Sequence, residues 1–295
     1  MSALILALNP SIDAEWRVAD VLWEEKNNVQ SERRWAGGKG INVARWLKHL
    51  GGKPRLLLPL GGLSGDELAG YLRREKISAQ IAPLQKATRV NVIVTTSSGR
   101  QMRFNPLGPK LSAVEWRVVL ASVKQHLRHT KLLVLSGSLP RGIPVNAYAQ
   151  LIRVAHRFGV KTLLDCDGAP FNAAVSARPF LVKPNEHELG LWRGKSLRSE
   201  TEIIQAACAL SAATRGWVLV SRGGQRSLLV NVAEKFQLFA APRKVKPRNT
   251  VGAGDALLAA VARQIQRGTS PEEWLRQGLA VGTQATQLAA GELPD

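Results

Sequence analysis

The sequence predicts an α/β layered protein, and three observations carry that prediction. Short runs of Val, Ile and Leu recur at strand length along the 295 residues, and longer segments with apolar residues at helical spacing lie between them. Apolar residues make up 45 % of the chain and charged residues 21 %, a balance that supports a real core and excludes a disordered or fibrous chain. Strands that are apolar throughout are covered on both faces, and their alternation with helices implies parallel strands joined by right-handed crossovers.

The elements follow in order. ALILAL at 3–8 reads as the first buried strand, and 39–50 as the first helix. RLLLPL at 55–60 and LLVL at 132–135 are strands preceded or followed by helices over 65–76, 112–129 and 145–159. KTLLD at 161–165, FLVK at 180–183 and WVLVS at 217–221 continue the series, with a helix over 199–213. SLLVNV at 227–232 and FQLFA at 236–240 are the last strands, before helices over 253–267 and 271–289. Two stretches break this rhythm. Residues 14–36 and 88–105 alternate polar and apolar positions, and TTSSGR in the second is a hairpin signal. They predict half-buried antiparallel strands that form a small lid over the carboxyl edge of the main sheet, where open α/β folds bind ligands. No repeat, low-complexity tract or long linker divides residues 1–295, so one domain with a lid is expected.

Composition narrows the function. Forty-one Lys plus Arg against 22 Asp plus Glu give a net charge of +19, which invites a nucleic-acid partner. Against that partner, aromatic residues are 5 % and are not interleaved with the basic ones, and no nucleic-acid motif is present. No apolar run approaches the ~18 residues of a membrane span, and the N-terminus lacks a basic region before its apolar stretch. Two cysteines, Cys166 and Cys208, are too few for a disulfide framework or zinc cluster. A cytoplasmic protein without membrane attachment is expected.

Three segments carry candidate chemistry. Asn249-Thr250-Val251-Gly252-Ala253-Gly254-Asp255 runs straight into a strong helix former, ALLAAVARQIQ. Glycines before a helix bring backbone close to a ligand, and the unpaired first-turn N–H groups face it with the positive end of the dipole. Asp255 in that turn is placed to accept a proton from a hydroxyl under phosphorylation, with the amides of Gly252, Ala253 and Gly254 as an anion hole. The plain alternative is an ordinary acidic helix start. Gly37-Gly38-Lys39-Gly40-Ile41-Asn42 opens another helix; it is neither a Walker A loop nor GxGxxG, yet it presents N–H groups, and Asn42 suits sugar hydroxyls. In Lys183-Pro184-Asn185-Glu186-His187-Glu188, Asn185 and Glu188 share a helix face and suit a hydrated Mg²⁺ held through water, with Lys183 on phosphate charge. The alternative there is a helix cap with exposed acids. His187 has no companion at metal-ligand spacing and reads as a surface residue.

Taken in order, GGKGINVA, SGSLPRGIP at 136–144, LVKPNEHEL at 181–189 and NTVGAGD resemble the PfkB carbohydrate kinases of the ribokinase-like superfamily. ALNPSIDAEWRV and TRVNV resemble its hexose-phosphate branch, the minor 6-phosphofructokinases, 1-phosphofructokinases and tagatose-6-phosphate kinases. The resemblance implies a three-layer α/β/α sandwich with a mostly parallel sheet and a β lid, and ATP-dependent phosphorylation of a sugar phosphate with ATP and Mg²⁺. It implies Asp255 as base, Asn185 and Glu188 near Mg²⁺, and Lys183, Ser221, Gly223 and Thr250 at the nucleotide. Asp13, Asn42, Gly38, Lys39 and Ser138 fall on the sugar side, and Lys26 and Arg89 on the sugar's phosphate. It also implies a homodimer through the lid, whose exposed strands would seek a partner. Arg141, Arg222 and Arg226 depart from the family pattern, and either bind anions or are solvated. Asp165-Cys166-Asp167-Gly168 departs too, with no effect predicted. A kinase for a plain sugar or nucleoside, and a basic nucleic-acid binder without kinase activity, are the alternatives.

Overall fold

The computed structural model describes residues 2–294. Its largest sheet has nine strands, in the spatial order β13 (Phe236–Ala240), β12 (Ser227–Asn231), β11 (Trp217–Val220), β10 (Leu181–Val182), β9 (Lys161–Asp165), β8 (Leu132–Ser136), β1 (Ala3–Leu6), β4 (Pro54–Leu60) and β5 (Ser78–Pro83). From β5 to β11 every pair is parallel, as the helical crossovers require. The β11–β12 and β12–β13 pairs are antiparallel, because short turns join them. The edge strand β5, SAQIAP, escapes the sequence pattern: only Ala82 is buried, so it has no apolar run to show.

Helices cover both faces. Side chains alternate along β1, so Ala3 and Ile5 pack under α1 (Lys39–His49), α2 (Gly62–Arg74), α8 (Ala253–Arg267) and α9 (Pro271–Thr286). Leu4 and Leu6 join the opposite layer under α3 (Ala113–Leu127), α4 (Ala147–Arg157), α5 (Gly168–Val175), α6 (Glu186–Arg193) and α7 (Glu200–Thr214). Each fully buried aliphatic side chain contributes about 1.5–3 kcal/mol of transfer free energy, which makes these two layers the main source of stability. The three-layer sandwich predicted from sequence is the architecture found. Helix α5 was not predicted, and α6 was read only as a helix start at Asn185. Each is eight residues long, too short for a clear helical period, and α6 starts on a reciprocal capping box between Asn185 and Glu188.

The lid is a second sheet, in the order β3 (Ser31–Gly37), β2 (Ser11–Val18), β6 (Arg89–Thr96) and β7 (Gln101–Phe104). Its central pair corrects the expectation of antiparallel strands, for β2 and β6 run parallel from Ser11↔Arg89 to Val18↔Thr96. The reason lies in the large sheet. β1 and β5 run in the same direction, so both deliver the chain to the carboxyl edge, and the strands that leave from there start side by side. The hairpin β6–β7 does turn at TTSSGR, where Thr96 N–H donates to the Arg100 carbonyl (3.0 Å) and Gly99 takes φ +83°. Among the described residues no helix is long and apolar enough to cross a membrane.

Candidate active site

Between the lid and the carboxyl edge lies a cleft of about 1200 Å³. The ends of β8, β9 and β10 reach it through Ser136, Asp165 and Lys183, and the N-termini of α1 and α8 through Gly38 and Gly252.

The start of α8 is shaped by its own sequence. Asn249 Oδ1 accepts from Val251 N–H (3.1 Å), and Gly252 turns the chain at φ +82°, a conformation that resists a Cβ. Asp255 N–H donates back to the Gly252 carbonyl (3.0 Å), and Ala253 N–H reaches the Thr250 carbonyl at 3.4 Å. No acceptor within the described chain engages the Gly252 or Gly254 amides, so two of the three expected anion-hole donors are free and the third is loosely held.

Asp255 is buried at 5 % exposure, and its Oδ2 accepts from Asn42 Nδ2 at 2.9 Å, which joins the α1 and α8 segments directly. Burial and then the nearby Asp165 charge push its carboxyl up to about 7, against the opposing pull of Asn42, Lys183 and Lys39. Asp165, 1 % exposed at the end of β9, is shared by both lysines: Lys39 Nζ stands 3.3 Å from Oδ1 and Lys183 Nζ 3.4 Å from Oδ2. Desolvation pulls the Lys39 ammonium down, but Asp165, Glu188 and Asp255 outweigh it and hold its pKa above the ordinary value.

Asn185 and Glu188 line the cleft and cap α6 at once. Asn185 Oδ1 accepts from Glu188 N–H and Glu188 Oε2 from Asn185 N–H, both at 2.8 Å. The capping reading of this segment describes these contacts. Glu188 Oε1 remains, 4.0 Å from Lys39 Nζ. Among the described residues no group of three His, Cys, Asp or Glu could cage a metal ion. The donors present fit an ion that keeps its water and takes phosphate oxygens, as Mg²⁺ prefers. Ser221, Gly223 and Thr250 line the same half, with Val245, Leu257, Leu279 and Gly282 supplying an apolar slot. Arg222 and Arg226 pair with acids: Arg222 Nε bonds Glu186 Oε2 (2.9 Å) and Arg226 Nη2, on a side chain still 55 % exposed, bonds Glu200 Oε1 (2.6 Å). Arg141 donates to the Gly108 carbonyl (3.1 Å) and braces the loop beside Asn9.

The other half gathers polar side chains that can hydrogen-bond a ligand. Asp13 Oδ1 accepts from Ser11 Oγ and Asn91 Nδ2, both at 2.8 Å, and desolvation raises its pKa despite those bonds. A Cβ on Gly37 would overlap the Asp13 carboxyl at 2.2 Å, so glycine there makes room for it. Asn9 Nδ2 donates to Ser138 Oγ (3.0 Å). Arg89 donates to the Pro106 and Asn9 carbonyls (both 2.9 Å) and contacts no carboxylate, and desolvation lowers its pKa. Lys26 is the expected site residue that this cleft does not include: it stands exposed on the lid loop between β2 and β3. The sequence reading missed Asn9, Asn91, Arg103, Asn105 and Asp165. Arg89 and Asn91 sit two apart on a strand and so share a face, a signal that was available; Asn9 and Asp165 gave none beyond lying at strand ends. Buried polar atoms without a hydrogen-bond partner among the described residues cluster here, namely Asn9 Oδ1, Arg89 Nε, Asn91 Oδ1 and Ser136 Oγ. Such orphans mark where ligand or water completes the bonding.

Residues 8–292 match the family profile described as pfkB family carbohydrate kinase. The chain belongs to the pfkB family of carbohydrate kinases. It is 33 % identical over 284 residues to the ATP-dependent 6-phosphofructokinase isozyme 2 of Escherichia coli K12, covering 95 % of this chain and 91 % of that one. It is 31 % identical over 278 residues to the 1-phosphofructokinase of Bacillus subtilis 168, covering 94 % and 90 %. The crystal structure of E. coli phosphofructokinase-2 in complex with fructose-6-phosphate superposes with a TM-score of 0.88 at 31 % identity, covering 97 % of this chain and 93 % of that one. The fold, the lid and the order of motifs thus agree with the kinase family.

Gly37→Ala is expected to force the Asp13 carboxyl off Ser11 and Asn91. An aspartate moved by about 1 Å lowers kcat/KM for the sugar substrate on the order of 100-fold. Unchanged kcat/KM in a folded Gly37→Ala protein would show that Asp13 needs no such placement.

Proposed function

We propose that this pfkB family kinase transfers the terminal phosphoryl group of ATP to a hydroxyl of a ketohexose phosphate, such as fructose 6-phosphate, fructose 1-phosphate or tagatose 6-phosphate. The observation that carries the reading is Arg89, a half-buried guanidinium in the sugar half that bonds only backbone carbonyls and so keeps its charge for an anion. A plain sugar offers nothing to such a cation; a phosphate does. The names of relatives agree: they include phosphofructokinases and a D-tagatose-1-phosphate kinase of Bacillus licheniformis.

The roles follow from position. Asp13, Asn42 and Ser138 bind sugar hydroxyls, with Gly38 and Lys39 beside them. Asp255 takes the proton of the attacking hydroxyl, and its pKa near 7 poises it between holding and releasing that proton at neutral pH. The free amides of Gly252 and Gly254, with Ala253, hold the charge of the phosphoryl group in flight, while Lys183 and Lys39 flank it. Ser221, Gly223 and Thr250 line the nucleotide, whose base enters the slot of Val245, Leu257 and Leu279. Mg²⁺, near Asn185 and Glu188 through water, would neutralise phosphate charge. Residues 1–295 act as one catalytic unit in the cytoplasm, a location that the two free cysteines suit.

The lid pairs two protomers. Its loop exposes Trp23 (76 %) and Leu22 (55 %), more apolar surface than a monomer gains from. Lys26 lies on the same loop, so its expected contact with the sugar's phosphate depends on that pairing.

Three measurements check these assignments. The acid limb of kcat should fall with an apparent pKa near 7, because the base must be unprotonated; Asn42→Ala removes a bond that favours the carboxylate, so the limb should move to higher pH, and Asp255→Asn should remove activity. A limb unmoved by Asn42→Ala would separate Asp255 from the observed titration. In coupled assays Arg89→Ala should raise KM for the sugar phosphate and leave KM for ATP near wild type; turnover of plain sugars with no preference for their phosphates would overturn the substrate class. Trp23→Asp should shift the sedimenting species from dimer to monomer, and a wild type that sediments as a monomer would end the lid-pairing reading.

A further inference from the structure

The excess positive charge is not spread evenly. Between Glu115 and Asp165 the chain has no acidic residue, yet that stretch holds eight Lys or Arg and three of the protein's five histidines. Asp165 and Asp167 are the only acids before Glu186, and both lie at the cleft, on the carboxyl edge of the sheet.

The fold gathers the cations of this stretch at the opposite edge. α3 and α4 lie on one face of the sheet and both end where β8 and β9 begin. Arg128 closes α3, Arg157 ends α4, and Lys131 and Lys161 lead into the two strands. Lys161 N–H donates to the Lys131 carbonyl (3.3 Å), which places the two turns side by side. Arg178 stands in the turn before β10, the next strand along, and Lys161 Nζ rests 4.5 Å from the Phe180 ring in that turn. Neighbouring strands are about 4.8 Å apart, so Lys131, Lys161 and Arg178 fall within about 10 Å along the edge. All five cations are exposed, and among the described residues none of them joins an ion pair. Cations at helix ends complement the helix dipole, which accounts for Arg157 but not for Lys131, Lys161 or Arg178.

We propose that this amino edge, between α3 and α4 and opposite the kinase cleft, binds the phosphate backbone of a nucleic-acid duplex without regard to sequence. The surface selects that partner by what it lacks as well as what it holds. In the turns that lead into β8, β9 and β10, Phe158, at 41 % exposure, is the one exposed large apolar residue among those described, so there is neither an apolar anchor for a membrane nor an apolar centre for a protein interface. Readers of single strands stack bases on aromatic side chains, and no such row exists here. A line of free cations meets the requirement of a duplex backbone, whose binding is driven by release of counterions.

The test uses the full chain and a labelled duplex of about 20 base pairs, as DNA and as RNA, in anisotropy titrations across roughly 50–200 mM salt. Wild type is expected to bind with a dissociation constant on the order of 1–100 µM, with log affinity falling linearly in log salt. The combined variant Arg128→Gln, Lys131→Gln, Arg157→Gln and Lys161→Gln should lose affinity at least about tenfold and flatten that slope by about 3 to 4, with kcat and both KM values unchanged. A control that removes four exposed cations away from the strand starts, Lys86→Gln after β5, Lys110→Gln before α3, and Arg193→Gln and Arg198→Gln around the α6–α7 loop, should keep most of the affinity. Either duplex binding in this manner supports the proposal, and the preferred one names the source. Absence of binding by wild type, equal losses in the two variants, displacement by ATP, or tighter binding to phosphatidylserine vesicles than to either duplex would overturn it.

Discussion

Two buried carboxylates stand close together at the carboxyl edge of this protein, and the cleft depends on what holds that arrangement in place. Asp255 and Asp165 are almost sealed from solvent, and each disfavours the charge of the other. Lys39 and Lys183 offset that repulsion by sharing Asp165, and Asn42 offsets it at Asp255. The five residues come from α1, β9, the segment after β10 and α8, so the electrostatic balance can exist only when the sheet has closed and both helix starts are packed against it. Removing one lysine would leave two buried carboxylates facing a single cation, which is why the site and the fold are hard to separate energetically.

The same arrangement explains how the cleft is prepared before substrate arrives. Helix starts leave free amides, the strand ends supply two lysines, and the lid contributes Asp13, Asn91 and Arg89 on strands anchored in the same edge. Orphaned polar atoms around Asn9, Arg89 and Asn91 mean that the protein has left bonding capacity for ligands there rather than satisfying it internally. Groups fixed in this way need no reorganisation when charge develops, which is the main electrostatic contribution that an enzyme can make to phosphoryl transfer.

Much of this was legible in the sequence, and the failures have physical causes. Buried parallel strands such as β1, β4 and β8 announce themselves as apolar runs, and Gly252 and Asp255 announce a helix start that approaches a ligand. β5 is an edge strand with little to bury and α5 is too short for a period, so neither could be seen, while α6 showed only its capped start. The parallel β2–β6 pair is a property of where β1 and β5 release the chain, which no local pattern encodes. Arg222 and Arg226 looked like free cations because Glu186 and Glu200, distant in sequence, are their partners only in the fold. Asp165 was singled out only as part of a departure from the family pattern, with no role assigned, because its importance lies in two lysines that the fold brings to it. Lys26 was read as a site residue, and the chain keeps it outside the cleft.

The central claim is that one hydroxyl of a sugar phosphate is held against Asp255 while the phosphate it already carries is held by Arg89. A crystal structure with fructose 6-phosphate and a non-hydrolysable ATP analogue bound tests it directly. The account predicts a sugar hydroxyl within hydrogen-bond distance of the Asp255 carboxylate, the analogue's terminal phosphate over Gly252 and Gly254, and the sugar's phosphate on the Arg89 guanidinium. A sugar bound the other way round, with its phosphate against Gly252 and Gly254 and Arg89 left without an anion, would contradict it.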